Sequence, residues 1–236
     1  MLITAQFRDP SLRPEDFSSQ LEKLLPLTLS MDSHSRQHKG WYAQGDSLEE
    51  ALLYPAFDKS APSAALLAML KHKYRKDASV THIALWNGET ERDQGISISI
   101  QVGSAFFPSS LDIDTMDDAA VGSLDEMATI IGVIIDVLRP LYVVAHPRAY
   151  SAQKVFDDKP GVGWMLYLPQ VITAEQVPEA QALIPVPVAG KKQTGTIIVS
   201  VANEVFSLDN ASHVELANRI EMRLVDQDLL PRYADL

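Results

Sequence analysis

Residues 80–102, VTHIALWNGETERDQGISISIQV, contain two apolar runs separated by turn-forming residues. In the second run, Ser97, Ser99 and Gln101 alternate with apolar residues. This period of two is typical of a β-strand with one face toward water. Asn87–Gly88 follows the first run, so the stretch predicts a β-hairpin with an extended loop.

Outward from this hairpin, strands and helices follow one another without the strict alternation of a doubly wound sheet. Short apolar runs predict strands, at residues 2–7, 141–145, 162–168, 182–188 and 194–201. Capping residues and helical spacing predict helices, which begin near Pro14, Ser47, Ser63, Ser123 or Asp125, and Asn210. We therefore predict an α+β fold with a mixed, largely antiparallel sheet and packed helices. We expect one integrated domain over residues 1–236, and we interpret 108–118 as a loop that could separate two lobes.

The bulk composition is that of an acidic globular protein. The chain has 236 residues, no cysteine and a net charge of −11. Such a charge repels nucleic-acid phosphates and anionic membranes, attracts a basic partner, and also serves solubility alone. The longest apolar run, 127–138, is too short to cross a bilayer, and the first residues do not resemble a secretory signal. We expect a protein of the cytoplasm that binds neither nucleic acid nor membrane.

Three patterns were considered as sites of chemistry. Ser151 and Lys154 match the Ser-x-x-Lys spacing, and Asp157, Asp158 and Lys159 resemble the acidic arm of a metal-dependent nuclease. No partner motif accompanies the first pattern. The nuclease arm needs a strand and a second acid to hold Mg²⁺, whereas Lys159–Pro160–Gly161 makes this stretch a turn.

The third pattern is a pair of histidines, His34 and His38, which lack a third metal ligand at suitable spacing. No phosphate-binding loop, GxSxG or HExxH motif occurs either. We therefore predict no catalytic, cofactor-binding or metal-binding residues and no cofactor.

Two features suit partner binding better. Between residues 112 and 126 there are six acids and no lysine or arginine, namely Asp112, Asp114, Asp117, Asp118, Asp125 and Glu126. They are either an anionic patch that docks on a basic surface, or a solvated loop followed by the favourable acids of a helix start. Trp41 and Tyr42 are either interface anchors or core residues beside a strand.

Several segments resemble a known family of bacterial immunity proteins. They are residues 40–52 (GWYAQGDSLEEAL) with Tyr54–Pro55, residues 160–169 (PGVGWMLYLP), residues 195–200 and residues 210–214. In these segments the chain resembles immunity protein 52. The resemblance implies an antitoxin of a type VI secretion or polymorphic-toxin system, paired with a toxin that carries a restriction-endonuclease-like nuclease domain.

If the resemblance holds, the protein binds a cognate nuclease toxin, either by occluding its DNA cleft or by blocking its productive assembly. Two other functions stay open. One is a small hydrolase or metal-dependent nuclease, and the other is an adaptor or chaperone that escorts an effector without inhibiting it. The sequence leaves the oligomeric state undetermined.

Overall fold

The structure, a computed structural model, describes residues 1–32, 40–91, 94–103, 106–116, 122–187 and 192–236. Within these ranges there are five α-helices: α1 Phe17–Asp32, α2 Leu48–Leu52, α3 Ala64–Lys73, α4 Leu124–Leu138 and α5 Ala211–Asp226. The strands are β1 Leu2–Phe7, β2 Tyr42–Ala43, β3 Phe57–Asp58, β4 Ala61–Pro62, β5 Thr81–Trp86, β6 Ile96–Val102, β7 Ser109–Thr115, β8 Tyr142–His146, β9 Met165–Leu168, β10 Ala182–Val186 and β11 Gly195–Val199. Two short 3-10 turns occupy Arg148–Ala152 and Tyr233–Asp235.

Nine of these strands form one sheet in the order β10-β11-β9-β8-β1-β7-β6-β5-β2, and every pairing in it is antiparallel. The remaining two, β3 and β4, form a separate small hairpin. The α+β class and the predicted β5–β6 hairpin are confirmed. The strand nearest the start of the chain, β1, lies in the middle of the sheet.

One face of the sheet is apolar and covered by helices. Ile3, Ile98 and Ile113 stand side by side on it and are fully buried. Helix α1 reaches this face, where the Gln20 amide nitrogen donates to Thr81 Oγ1 at 3.2 Å. Helix α4 packs along α1. This face forms the core of the protein.

The other face is covered over β8 and its neighbours by the C-terminal part of the chain. The ring of His146 lies 5.4 Å from that of Tyr150, whose hydroxyl points to Asn218 and Glu221 on α5. Further along β8, Tyr142 packs against Tyr233, with 6.2 Å between ring centres. Helix α5 therefore covers one half of this face.

The predicted loop at 108–118 is wrong. Residues Ser109–Thr115 form β7, which is hydrogen-bonded to β1 on one side and β6 on the other. Aspartate is uncommon in strands, which is why the composition of this segment suggested a loop. The alternation of buried Leu111, Ile113 and Thr115 with half-buried neighbours is nevertheless that of a strand.

Both edges of the sheet are protected from pairing with another chain. At one edge, the short end strand β2 pairs only with Leu85 and Trp86 of β5, so the first residues of β5 also lie at the edge. There the backbone N–H of His82 donates to the Tyr74 hydroxyl at 2.9 Å, and this hydroxyl donates to the His82 carbonyl at 2.9 Å. On β10, Pro185 offers no N–H. These features reduce the free hydrogen-bonding groups that edge strands expose.

Candidate partner-binding surface

The half of the second face formed by β1, β5, β6 and β7 is polar and partly exposed, and we call it the open face. The strand register places these side chains on it: Thr4, Gln6, His82, Trp86, Ser97, Ser99, Gln101, Ser110, Asp112 and Asp114, with Tyr42 of β2 at its rim. None of them is buried, whereas the other side of the same strands is. The prediction that β6 has one face toward water is confirmed.

Asp112 and Asp114 lie near the middle of the open face. Asp112 Oδ1 accepts a hydrogen bond from Thr4 Oγ1 at 2.8 Å. Asp114 forms an ion pair with Arg148, whose side chain is 67% exposed. The Asp114 side chain is only 17% exposed, so water screens the pair only in part and Arg148 offsets much of the charge of Asp114.

Asp125 and Glu126 lie in the first turn of helix α4, and Glu126 takes part in capping the helix. Ser123 accepts from the Glu126 N–H at 3.3 Å, and the Glu126 carboxylate accepts from the Ser123 N–H at 2.6 Å. This reciprocal pair is a capping box. Asp125 is exposed beside it and, with residues 202–205, lines a cavity of about 360 Å³.

The structure therefore does not bring all six acids together in one described patch. Asp112 and Asp114 share the open face, whereas Asp125 and Glu126 belong to a helix start. Asp117 and Asp118 lie outside the described residues, as do His34 and His38. Acids at a helix start are favourable in themselves, so Asp125 and Glu126 need no role in binding a toxin to explain their position.

The two neighbouring aromatics are separated by the sheet. Trp41 is 5% exposed, and its indole N–H donates to Asp32 Oδ1 at 2.9 Å. Tyr42 is half-buried at the rim of the open face, with its ring 6.4 Å from that of Trp86. Of the two candidate anchors, Tyr42 is the one that offers surface to a partner.

Two further residues of this surface, Trp86 and His82, are not among the predicted partner-binding residues. Trp86 is partly exposed at the rim, where its indole N–H donates to the Glu89 carbonyl at 3.1 Å. His82 is exposed near the other end of β5, four residues before Trp86. Partial burial of its ring and the nearby Lys73 lower its pKa, against the opposing effect of Asp112. Alternation from the predicted strand 80–86 was the available signal for both.

The tryptophan in the segment 160–169 supports the fold. Trp164 is fully buried, and its indole N–H donates to the Val201 carbonyl at 2.8 Å. Gly163 before it has φ of 54°, and a Cβ there would lie 2.5 Å from His146 Cβ. Glycine is required at this close approach between β8 and β9.

The two lysines of the Ser-x-x-Lys and nuclease-like patterns make structural contacts. Lys154 Nζ donates to the carbonyls of Asp157 and Lys159, at 3.1 and 2.9 Å. Lys159 is itself buried, and its Nζ donates to the Leu230 carbonyl at 2.8 Å. Both ammonium groups thus fix the turn at 157–161 and the C-terminal segment.

In the described part of the chain, no three His, Asp or Glu side chains come together in a way that could hold a metal ion. None of the helices there combines the length and the apolarity that crossing a bilayer requires.

Comparison with known proteins identifies a family and a similar fold. The family model described as immunity protein 52 matches residues 11–232. The solved structure of the Pseudomonas aeruginosa T6SS protein PA0821 superposes with a TM-score of 0.54 and 13% identity, covering 95% of this chain and 72% of that one. At that identity the likeness concerns the fold alone. Among curated proteins, none matches this chain.

Proposed function

This chain belongs to the immunity protein 52 family, and from that premise we propose that it binds and neutralises a cognate secreted nuclease toxin in the cytoplasm. The toxin is one of a type VI secretion or polymorphic-toxin system and carries a restriction-endonuclease-like domain. Toxin and inhibitor meet in the compartment that holds the DNA.

The observation that carries the proposal is the open face in a protein of net charge −11. A nuclease must present a basic or metal-loaded surface to hold DNA phosphates, and an acidic surface complements it. Four neighbouring strands supply small polar side chains around Asp112 and Asp114, so a partner can approach closely.

We infer a broad surface contact instead of an inserted acidic plug. Asp112 and Asp114 belong to a strand with neighbours on both sides, so their carboxylates lie at the level of the sheet surface. Such a surface fits a mechanism in which the bound inhibitor prevents the toxin from assembling or closing on DNA. Asp117 and Asp118 remain the candidates for a plug.

Co-expression with candidate toxin domains taken from the genes that neighbour this one tests the function. We expect growth to be restored and the toxin to copurify at fixed stoichiometry. Copurification without rescue would identify an adaptor, and rescue that is fully retained with Asp112→Asn/Asp114→Asn would exclude these carboxylates from the contact. Degradation of nucleic acid, ester or peptide by the purified protein with Mg²⁺, Mn²⁺ or Zn²⁺ would instead support the hydrolase alternative.

A further inference from the structure

Helix α2 presents its leucines to solvent. Leu48, Leu52 and Leu53 are 48%, 47% and 66% exposed, whereas Ala51 on the other side of the helix is buried. Leu48 and Leu52 are one helical turn apart and share a face. Ser47 caps the start of the helix, and the Leu53 N–H donates to the Glu50 and Ala51 carbonyls at its end. Hydrogen bonds at both ends therefore hold the helix in this orientation.

A cavity of about 340 Å³ opens between this helix and the sheet. Its lining includes Leu48, Ala51 and Trp86, together with Gln44, Gly45 and Ser47. It therefore adjoins the rim of the open face at Trp86. A mostly apolar recess of this kind accepts one apolar side chain of a partner, as the anchor positions of protein interfaces do.

The charge around the leucines is mostly negative. Residues 40–58 contain Asp46, Glu49, Glu50 and Asp58 and no lysine or arginine. The first three are exposed on or next to α2. Lys73 of α3 lines the adjoining cavity together with Asp46, so positive charge borders the surface on that side.

We infer that Leu48, Leu52, Leu53 and Trp86, which we call the α2 surface, bind a basic amphipathic segment of the partner. One apolar side chain of that segment fills the cavity, others cover Leu52 and Leu53, and its lysines or arginines face Asp46, Glu49 and Glu50. A second copy of this chain is a poor occupant, because it would bring acids against acids.

The inference rests on the proposed function, since it names the surface through which the toxin is held. It also states the chemistry of the toxin's contacting segment. The acids raise the association rate, which falls with salt, and the leucines with the cavity set the dissociation rate.

A synthetic amphipathic peptide of leucine and lysine, with a leucine–glutamate peptide as its control, tests the surface in the isolated protein. In NMR titrations we expect the lysine peptide to shift the amide signals of residues 44–53 and Trp86, and Leu52→Ser/Leu53→Ser to weaken binding at least about tenfold. Leu29→Ser on α1 is the matched control, because Leu29 is 58% exposed and lies outside the α2 surface. Equal weakening by both variants, or shifts elsewhere, would overturn the inference.

Co-expression with the toxin separates this inference from the proposed function. If wild type and Leu29→Ser protect while Leu52→Ser/Leu53→Ser fails although it folds, the inference is supported. If all three protect and bind the toxin equally, the α2 surface is wrong and the proposed function stands. If the wild type itself neither binds the toxin nor protects against it, the proposed function fails. The toxin is then also excluded as the molecule that binds the α2 surface.

Discussion

Trp41 and Tyr42 are adjacent in the sequence and lie on opposite sides of the sheet. The indole of Trp41 is buried in the core against Asp32, and the phenol ring of Tyr42 lies at the rim of the open face. On the proposed function, we expect Trp41 to act on stability and Tyr42 to act on binding.

We expect Trp41→Ala to lower the free energy of unfolding by about 3–5 kcal/mol, because it leaves a large cavity and removes the hydrogen bond to Asp32 Oδ1. Tyr42→Ala should cost much less stability and weaken toxin binding at least about tenfold. Denaturant unfolding and calorimetric titration measure the two effects. Equal losses of stability in both variants would contradict the assignment.

The capping box at α4 predicts that Ser123 and Glu126 act on stability. Ser123→Ala should lower the free energy of unfolding by about 1 kcal/mol, because the Glu126 N–H loses its acceptor. Asp125→Asn on the exposed side of the same turn is the control and should have a smaller effect. If Ser123→Ala abolished toxin binding without changing stability, this helix start would instead be part of the contact.

The buried carboxyl of Glu221 is expected to make a contribution to stability that is lost as the pH rises above 4.5. Burial raises its pKa above the ordinary value of 4.5, against the opposing hydrogen bonds from the Phe156 and Val155 N–H groups. Below pH 4.5 the carboxyl is protonated in the folded and the unfolded chain. As the pH rises toward the raised pKa, the unfolded chain ionises first, so this group's contribution to stability is lost.

We therefore expect Glu221→Gln to flatten the decline in stability above pH 4.5, as measured by urea unfolding across a pH series. Asp9 provides a contrast of opposite sign. Its hydrogen bonds with Lys23 and Ser11 lower its pKa from 3.8 to about 2, so its contribution is lost as the pH falls between these values. Asp9→Asn should change only the acidic limb, and a change of the same limb in both variants would refute this account.

The Tyr74 hydroxyl predicts a role in keeping the β5 edge unpaired. Tyr74→Phe should lower the free energy of unfolding by about 1 kcal/mol, because both backbone groups of His82 lose their partner. The ring contact with Phe17, 5.6 Å between centres, is retained. We expect faster aggregation at high concentration, measured by light scattering, with Tyr54→Phe as the control; equal aggregation in the two variants would count against an edge role.

Local signals in the sequence predicted the local structure well. Ser47, Ser63 and Ser123 cap the helices expected to begin there, because capping depends on residues within one turn. The β5–β6 hairpin followed from the serine–isoleucine alternation. Residues 109–115 were predicted as a loop because their aspartates suggested one, although the segment has the same kind of alternation as β6.

The open face required information that no local pattern contains. Asp112 and Thr4 meet because β7 and β1 are neighbours, although 108 residues separate them in the chain. Tyr42 and Trp86 meet for the same reason at the β2–β5 pair. Which residues share a surface depends on strand order, and strand order is not encoded within one segment.

The central position of β1 has a consequence for biosynthesis. Its partners, β7 and β8, are more than 100 residues further along the chain. At about 5–20 residues per second, a ribosome supplies β7 roughly 5–20 s after β1. During this delay the apolar side of Ile3, Ala5 and Phe7 lacks its neighbouring strands. A strand at the centre of the sheet is therefore open to nascent-chain chaperones for many seconds before it can pair.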